Sequence, residues 1–141
     1  MEPELEAAIS DAIAQATGRG GRIVDDRSVG GGCISDTRIV ELDDGRRLFV
    51  KTNDPALAEM FAREAEGLSA LSAAGAIRVP TPIATGGGGR TPAFIVLEAI
   101  EIGRPSRGFF ERFGRELAEL HRRTPSARFG FEHDNWIGST P

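Results

Sequence analysis

Between Gly21 and Thr52 the chain reads "GRIVDDRSVGGGCISDTRIVELDDGRRLFVKT", three strand-like runs separated by two turn signals. No other stretch restricts the fold as much. Asp43 to Gly45, "DDG", is a strong two-strand turn signal. Ile34, Ile39, Val40 and Leu42 give the run before it strand character, and "RRLFVKT" after it alternates as a further strand. Three consecutive glycines, Gly30 to Gly32, fall at the first break. Residues 21–52 are therefore predicted to form a three-stranded antiparallel meander with the glycines at its first turn.

The flanks complete a sheet. "DPALAEMFAREAEGLSALSAAG" is the clearest helix, with Asp54 as N-cap, Pro55 just inside and Gly75 closing it. "VPTPIATG" and "TPAFIVLEAI" read as two more strands, with the glycine run 86–89 as a flexible connector. A first helix over Pro3 to Thr17 carries Leu5, Ala8, Ile9 and Ala12 on one stripe and stops at Gly18. A last helix from about Ser106 to Arg123 places Phe110, Phe113, Leu117 and Leu120 on one face. The expected fold is α+β, a five-stranded antiparallel sheet with a helix packed on one face.

Composition narrows the function. The chain has 141 residues, 40% hydrophobic and 27% charged, which suits one domain or a piece of a larger one. A formal charge of −4 argues against nucleic acid as a partner, since phosphate-backbone binding needs a basic surface. No apolar run reaches the roughly 18 residues of a membrane span. "MEPELEAAIS" lacks the features of a signal peptide. The single cysteine excludes an internal disulfide framework and suits a reducing, cytoplasmic setting.

A glycine triplet loses much conformational entropy on folding. It marks either a loose hairpin or a backbone that must approach a ligand closely, such as a phosphate. Downstream, Leu57, Phe61, Glu64, Leu68 and Leu71 share one helix face, which sets Glu64 inside an apolar stripe. Such a carboxylate either reaches water at the stripe's edge or meets a cation. Lys51 ends the third strand on the same face as Phe49. Glycine turn, strand lysine and helix glutamate follow the order of a protein-kinase-type nucleotide site. There the turn offers N–H groups to phosphate oxygens, and the glutamate holds the lysine that neutralises the phosphates. "FIVLEAIE" is apolar up to Glu98 and fits a strand linking two lobes, with adenine bonding backbone around Glu98 and Ile100. A Walker A loop and a dinucleotide fingerprint both fail, because the turn lacks the required lysine and opens a strand rather than a helix.

"SVGGGCISDT", "VK", "MFAREAEGLSAL", "VLEAIE", "LAELHRR" and "FGFEHDNWIGSTP" together resemble the fructosamine/ketosamine-3-kinase family of the aminoglycoside-phosphotransferase/protein-kinase-like superfamily. The resemblance runs from about Val29 to the last residue. It implies a kinase-like N-lobe over residues 1–100, then the hinge exit and the start of a C-lobe over 101–141. It also implies a phosphate turn of Gly30, Gly31, Gly32, Cys33, Ile34 and Ser35, and an ion pair of Lys51 with Glu64. Glu98, Ala99 and Ile100 become the adenine hinge, and Leu97 the back of the adenine pocket. The implied cofactors are ATP and Mg²⁺. The implied partner is a ketosamine, free or protein-bound, phosphorylated on its sugar 3-hydroxyl in protein deglycation.

Family members carry the catalytic aspartate of an H-G-D segment, and their metal ligands, farther along. This chain has neither, so no catalytic or metal residue is assigned and the chain alone is expected to be inactive. Alternatives are a catalytically empty N-lobe module acting by association, or an aminoglycoside or choline kinase of the same superfamily. Cys33 is either a small turn residue or a redox-sensitive thiol through which two chains join. Trp136, with Phe129 and Phe131, would anchor a further lobe, line a sugar pocket or lie exposed and invite dimerisation. "RRTPSAR" is a basic patch that suits the helix dipole.

Overall fold

The structure, a computed structural model, describes residues 1–30, 34–126, 128–136 and 140. Helix α1 spans Pro3–Thr17, opened by Pro3 with Glu4 and Glu6 in its first turn, where carboxylates suit the helix dipole. Strands β1 (Ile23–Ser28), β2 (Asp36–Leu42) and β3 (Arg47–Asn53) follow. Their antiparallel pairing, Ile39 against both Arg27 and Phe49, is the expected meander. Asp54 caps a single 3₁₀ turn at Pro55–Leu57 by accepting from the Ala56 N–H. Helix α2 (Ala58–Ala73) then runs on to β4 (Pro82–Gly88) and β5 (Thr91–Glu98). Helix α3 (Phe109–Arg123) begins after Gly108, slightly later than the apolar spacing suggests.

The five strands form one sheet in the order β1-β2-β3-β5-β4. Period-two alternation divides them into two faces. On one, Val40, Leu42, Leu48, Val50, Phe94 and Val96 meet Leu5, Ile9 and Ile13 of α1. On the other, Ala93, Ile95 and Leu97 meet Met60 and Phe61 of α2, with Phe49 and Trp136 packed alongside. The sheet is thus covered on both faces, where the sequence pattern led us to expect one packed helix. β5 is central to both layers, and Ala93 to Leu97 are all buried.

Two sequence expectations are corrected. Gly86 to Gly88 belong to β4 rather than to a flexible connector. Gly86 lies under the Phe94 ring, where a methyl group would sit 2.5 Å from a ring carbon. Gly87, at φ +95°, has no room for a side chain beside the Pro92 carbonyl. The α2 stripe also ends early. Phe61 is fully buried, Leu71 is exposed, and Met60, off the expected stripe, is buried.

Candidate functional site

The glycine turn between β1 and β2 is clamped at both ends. The Val29 N–H donates to the Thr37 carbonyl at 2.9 Å, and the buried Thr37 hydroxyl donates to the Val29 carbonyl. On the far side, the Asn53 amide donates to the Ile34 carbonyl at 2.8 Å and to the Ser35 hydroxyl at 3.2 Å. Asn53 ends β3, so the strand carrying Lys51 also holds the turn. Gly31, Gly32 and Cys33, expected in the phosphate turn, lie outside the described residues.

Lys51 sits in the middle of the sheet, paired across to Thr37 on β2 and to Ile95 on β5. Its ammonium reaches both carboxylate oxygens of Glu64 on α2, at 2.9 and 2.6 Å. It also stands 5.7 Å from the centre of the Phe61 ring, within cation–π range. Both side chains are half-buried, at 25% and 29% exposure. Glu64 is therefore the stripe carboxylate that meets a cation.

The pair opens onto a cavity of about 510 Å³ whose other walls include Gly30, Ile34, Ser35, Phe49, Met60 and Leu97. Asn135 and Trp136, from the segment after α3, also line it. A second cavity, also about 510 Å³, adjoins it at Gly30 and Phe49 and is walled by Ile39, Ala99 and Ile100. Arg47 bonds Glu101 at 3.0 Å and so ties the segment after β5 to β3 beside this second cavity. The two cavities share Gly30 and Phe49 as walls; Lys51 and Glu64 line the first, and Arg27, Arg47 and Glu101 are among the walls of the second.

Glu98 borders neither cavity. Its N–H donates to the Thr81 carbonyl at 2.9 Å, and its carboxylate accepts from Arg78 at 2.6 Å and from the Thr81 hydroxyl at 3.3 Å. The Arg78 guanidinium holds this carboxyl below its ordinary value, and the Thr81 donors add to the effect. Leu97 lines the cavity at Lys51, while Ala99 and Ile100 line the second one.

The donor set suits an anionic phosphate chain. An ammonium has three N–H donors and Glu64 engages it with two oxygens, so one donor remains for a phosphate oxygen. No group of three or more His, Cys, Asp or Glu with metal-binding geometry occurs among the described residues. Sequence reasoning missed Phe49 and Met60 as cavity walls, although period two places Phe49 beside Lys51. It also missed Arg123, whose guanidinium donates to the Gly75 carbonyl at 3.2 Å and to the Ala74 carbonyl at 3.4 Å. The basic patch thereby fastens α3 to the end of α2.

A family model described as fructosamine kinase matches residues 5–141. A probable ketoamine kinase of Synechocystis is 42% identical over 133 residues, covering 94% of this chain and 44% of that protein. The chloroplastic protein-ribulosamine 3-kinase of Arabidopsis thaliana is 44% identical over 115 residues, 81% of this chain and 35% of its own length. A crystal structure from Haemophilus somnus, provisionally named a fructosamine-3-kinase, superposes with a TM-score of 0.84 at 26% identity. It covers 93% of this chain, which covers 44% of it. The chain thus spans less than half the length of the relatives it matches.

Proposed function

The chain belongs to the fructosamine kinase family, and on that premise we propose that it is the nucleotide-binding part of an ATP-dependent kinase acting on the sugar 3-hydroxyl of ketosamines. The observation that carries the reading is the Lys51–Glu64 pair facing a cavity beside a clamped glycine turn. ATP, when bound, supplies the phosphoryl group that is transferred. Lys51, oriented by Glu64, holds the phosphate oxygens. The turn from Gly30 to Ser35 brings backbone donors to them, as a dense array of N–H groups does for anions elsewhere. Phe49 and Leu97 pack against the base, and the backbone of Ala99 and Ile100 bonds its edge. Glu98 acts through its tie to Arg78 and Thr81, fixing where this hinge starts. Mg²⁺ would take its ligands from chain beyond these residues, as would the catalytic base. The 141 residues alone are expected to bind nucleotide without turning it over.

The test is a melting experiment with ATP and a non-hydrolysable analogue, each with Mg²⁺. Binding raises the melting temperature by mass action, and Lys51→Ala should remove the rise while leaving the ligand-free transition nearly in place. An equal rise in the variant would reject the assignment.

A second reading, association through apolar surface, is favoured by one observation. Phe110, Phe113 and Leu117 of α3 are 77%, 44% and 37% exposed. Concentration-dependent sedimentation that survives Cys33→Ser would support contact through these residues. Loss of association in the same variant would point to the thiol instead.

A further inference from the structure

The acceptor of a phosphoryl group has to sit just beyond the terminal phosphate, so the cavity that holds Lys51 bears on its surroundings. With a base against Ala99 and Ile100, a phosphate chain passes Phe49 and reaches Lys51, whose cavity, unlike the one at Ala99 and Ile100, is also walled by Asn135 and Trp136. These residues come from the segment after α3, separate in sequence from every element that forms the rest of the cavity. Trp136 packs against the Met60 and Phe61 layer but stays partly exposed, which leaves part of its indole as cavity wall. The Asn135 side-chain oxygen accepts from the Trp136 N–H at 2.8 Å. That bond occupies the amide oxygen and leaves the NH₂ group as the amide's donor. Ser35 and Thr37 also line the cavity, and Lys51 is the one cation among its described walls.

An indole face beside neutral hydrogen-bonding groups matches a polyhydroxylated ring, whose C–H face is apolar and whose rim is polar. We propose that Asn135 and Trp136 form the acceptor-sugar wall. The indole stacks on the sugar ring and the Asn135 amide bonds a ring hydroxyl, presenting the reactive hydroxyl toward the Lys51 end. The proposal rests on the nucleotide reading given above and adds the residues that hold the second substrate.

Trp136 is the only tryptophan in the chain, so a ¹⁵N-labelled sample gives one indole N–H resonance. The probe is fructose-lysine, a small ketosamine, with lysine as control and an ATP analogue added separately. Fructose-lysine should move the indole resonance saturably and lysine should not. Lys51→Ala should lose the nucleotide response and keep the sugar response. Trp136→Ala should weaken sugar binding roughly tenfold, read by saturation transfer to the sugar, with nucleotide affinity within about twofold of wild type. Trp136→Phe, which keeps an aromatic face and guards against misfolding, should recover most of the loss. Nucleotide binding with no sugar response, or an equal response to lysine, overturns the acceptor wall and leaves the nucleotide reading standing. Sugar binding without nucleotide binding supports the wall and rejects the nucleotide reading. Silence to both ligands rejects both.

Discussion

On the α1 side of the sheet, Val40, Val50 and Val96 meet Ile9 and Ile13, all five at 0% exposure. On the α2 side the same strands present Phe49 and Lys51, and the helix answers with Phe61 and Glu64. The two faces share a backbone and differ only in which alternate residues they show. The first is a dry core packed by transfer from water and by close contact. The second gives up part of that packing to keep an ion pair and a cavity, so its polar groups stay within reach of a ligand. The two faces thus differ in kind: the α1 face is closed and apolar, and the α2 face carries the Lys51–Glu64 pair and a cavity.

Substitutions on the two faces should have very different consequences. Val50→Lys would put an unpaired ammonium into the closed face, at a cost on the order of 5 kcal/mol or outright unfolding, seen in urea denaturation. Ile13→Ala removes a fully buried side chain from the same face. It should cost about 3 kcal/mol through lost transfer and the cavity left behind, read from the same denaturation midpoint. Lys51→Met, one residue from Val50 but on the open face, should cost only about 1 kcal/mol because the pair is half-exposed. It should nevertheless abolish nucleotide-induced stabilisation. Equal losses for Val50→Lys and Lys51→Met would mean that the two faces are not different in kind.

The smallest effect is expected at Glu98, which shares the closed face's parity with Val96 but lies at the end of β5, where that face gives out. The Arg78 guanidinium depresses its folded pKa below the ordinary carboxylate value, and the Thr81 donors add to this. The stabilisation is therefore complete above the unfolded value and is lost as pH falls through the lower folded one. At 37% side-chain exposure it should amount to less than about 1 kcal/mol. The melting gap between wild type and Glu98→Gln should accordingly be small at pH 7 and close at acid pH. A gap that widens on acidification would refute the pairing with Arg78.

Much of this architecture could be read directly from residues. Turn chemistry at Asp43 to Gly45 and alternation in "RRLFVKT" locate the meander, and four-and-three spacing brings Glu64 to Lys51. The glycines of β4 were misread because composition alone cannot distinguish a glycine that is flexible from one lying under a ring. Only the pairing of Gly86 with Phe94 shows which applies. Leu71 was misplaced because periodicity gives a direction around a helix but not where the sheet beneath it ends. The meeting of Trp136 with Met60 depends on a return of the chain that no local pattern encodes. Arg123 escaped for the same reason, since its partners are carbonyls at the end of another helix.

β4 forms one of the two outer borders of the sheet. Gly87 and Gly88 lie there at φ +95° and +111°, and the pairing with β5 slips between Gly86 and Gly88. Such a bulge twists the outer row of N–H and C=O groups out of the flat array that a further strand would need. Gly87 and Gly88, next to the glycine that lets Phe94 lie against the sheet, therefore make its border a poor template for aggregation.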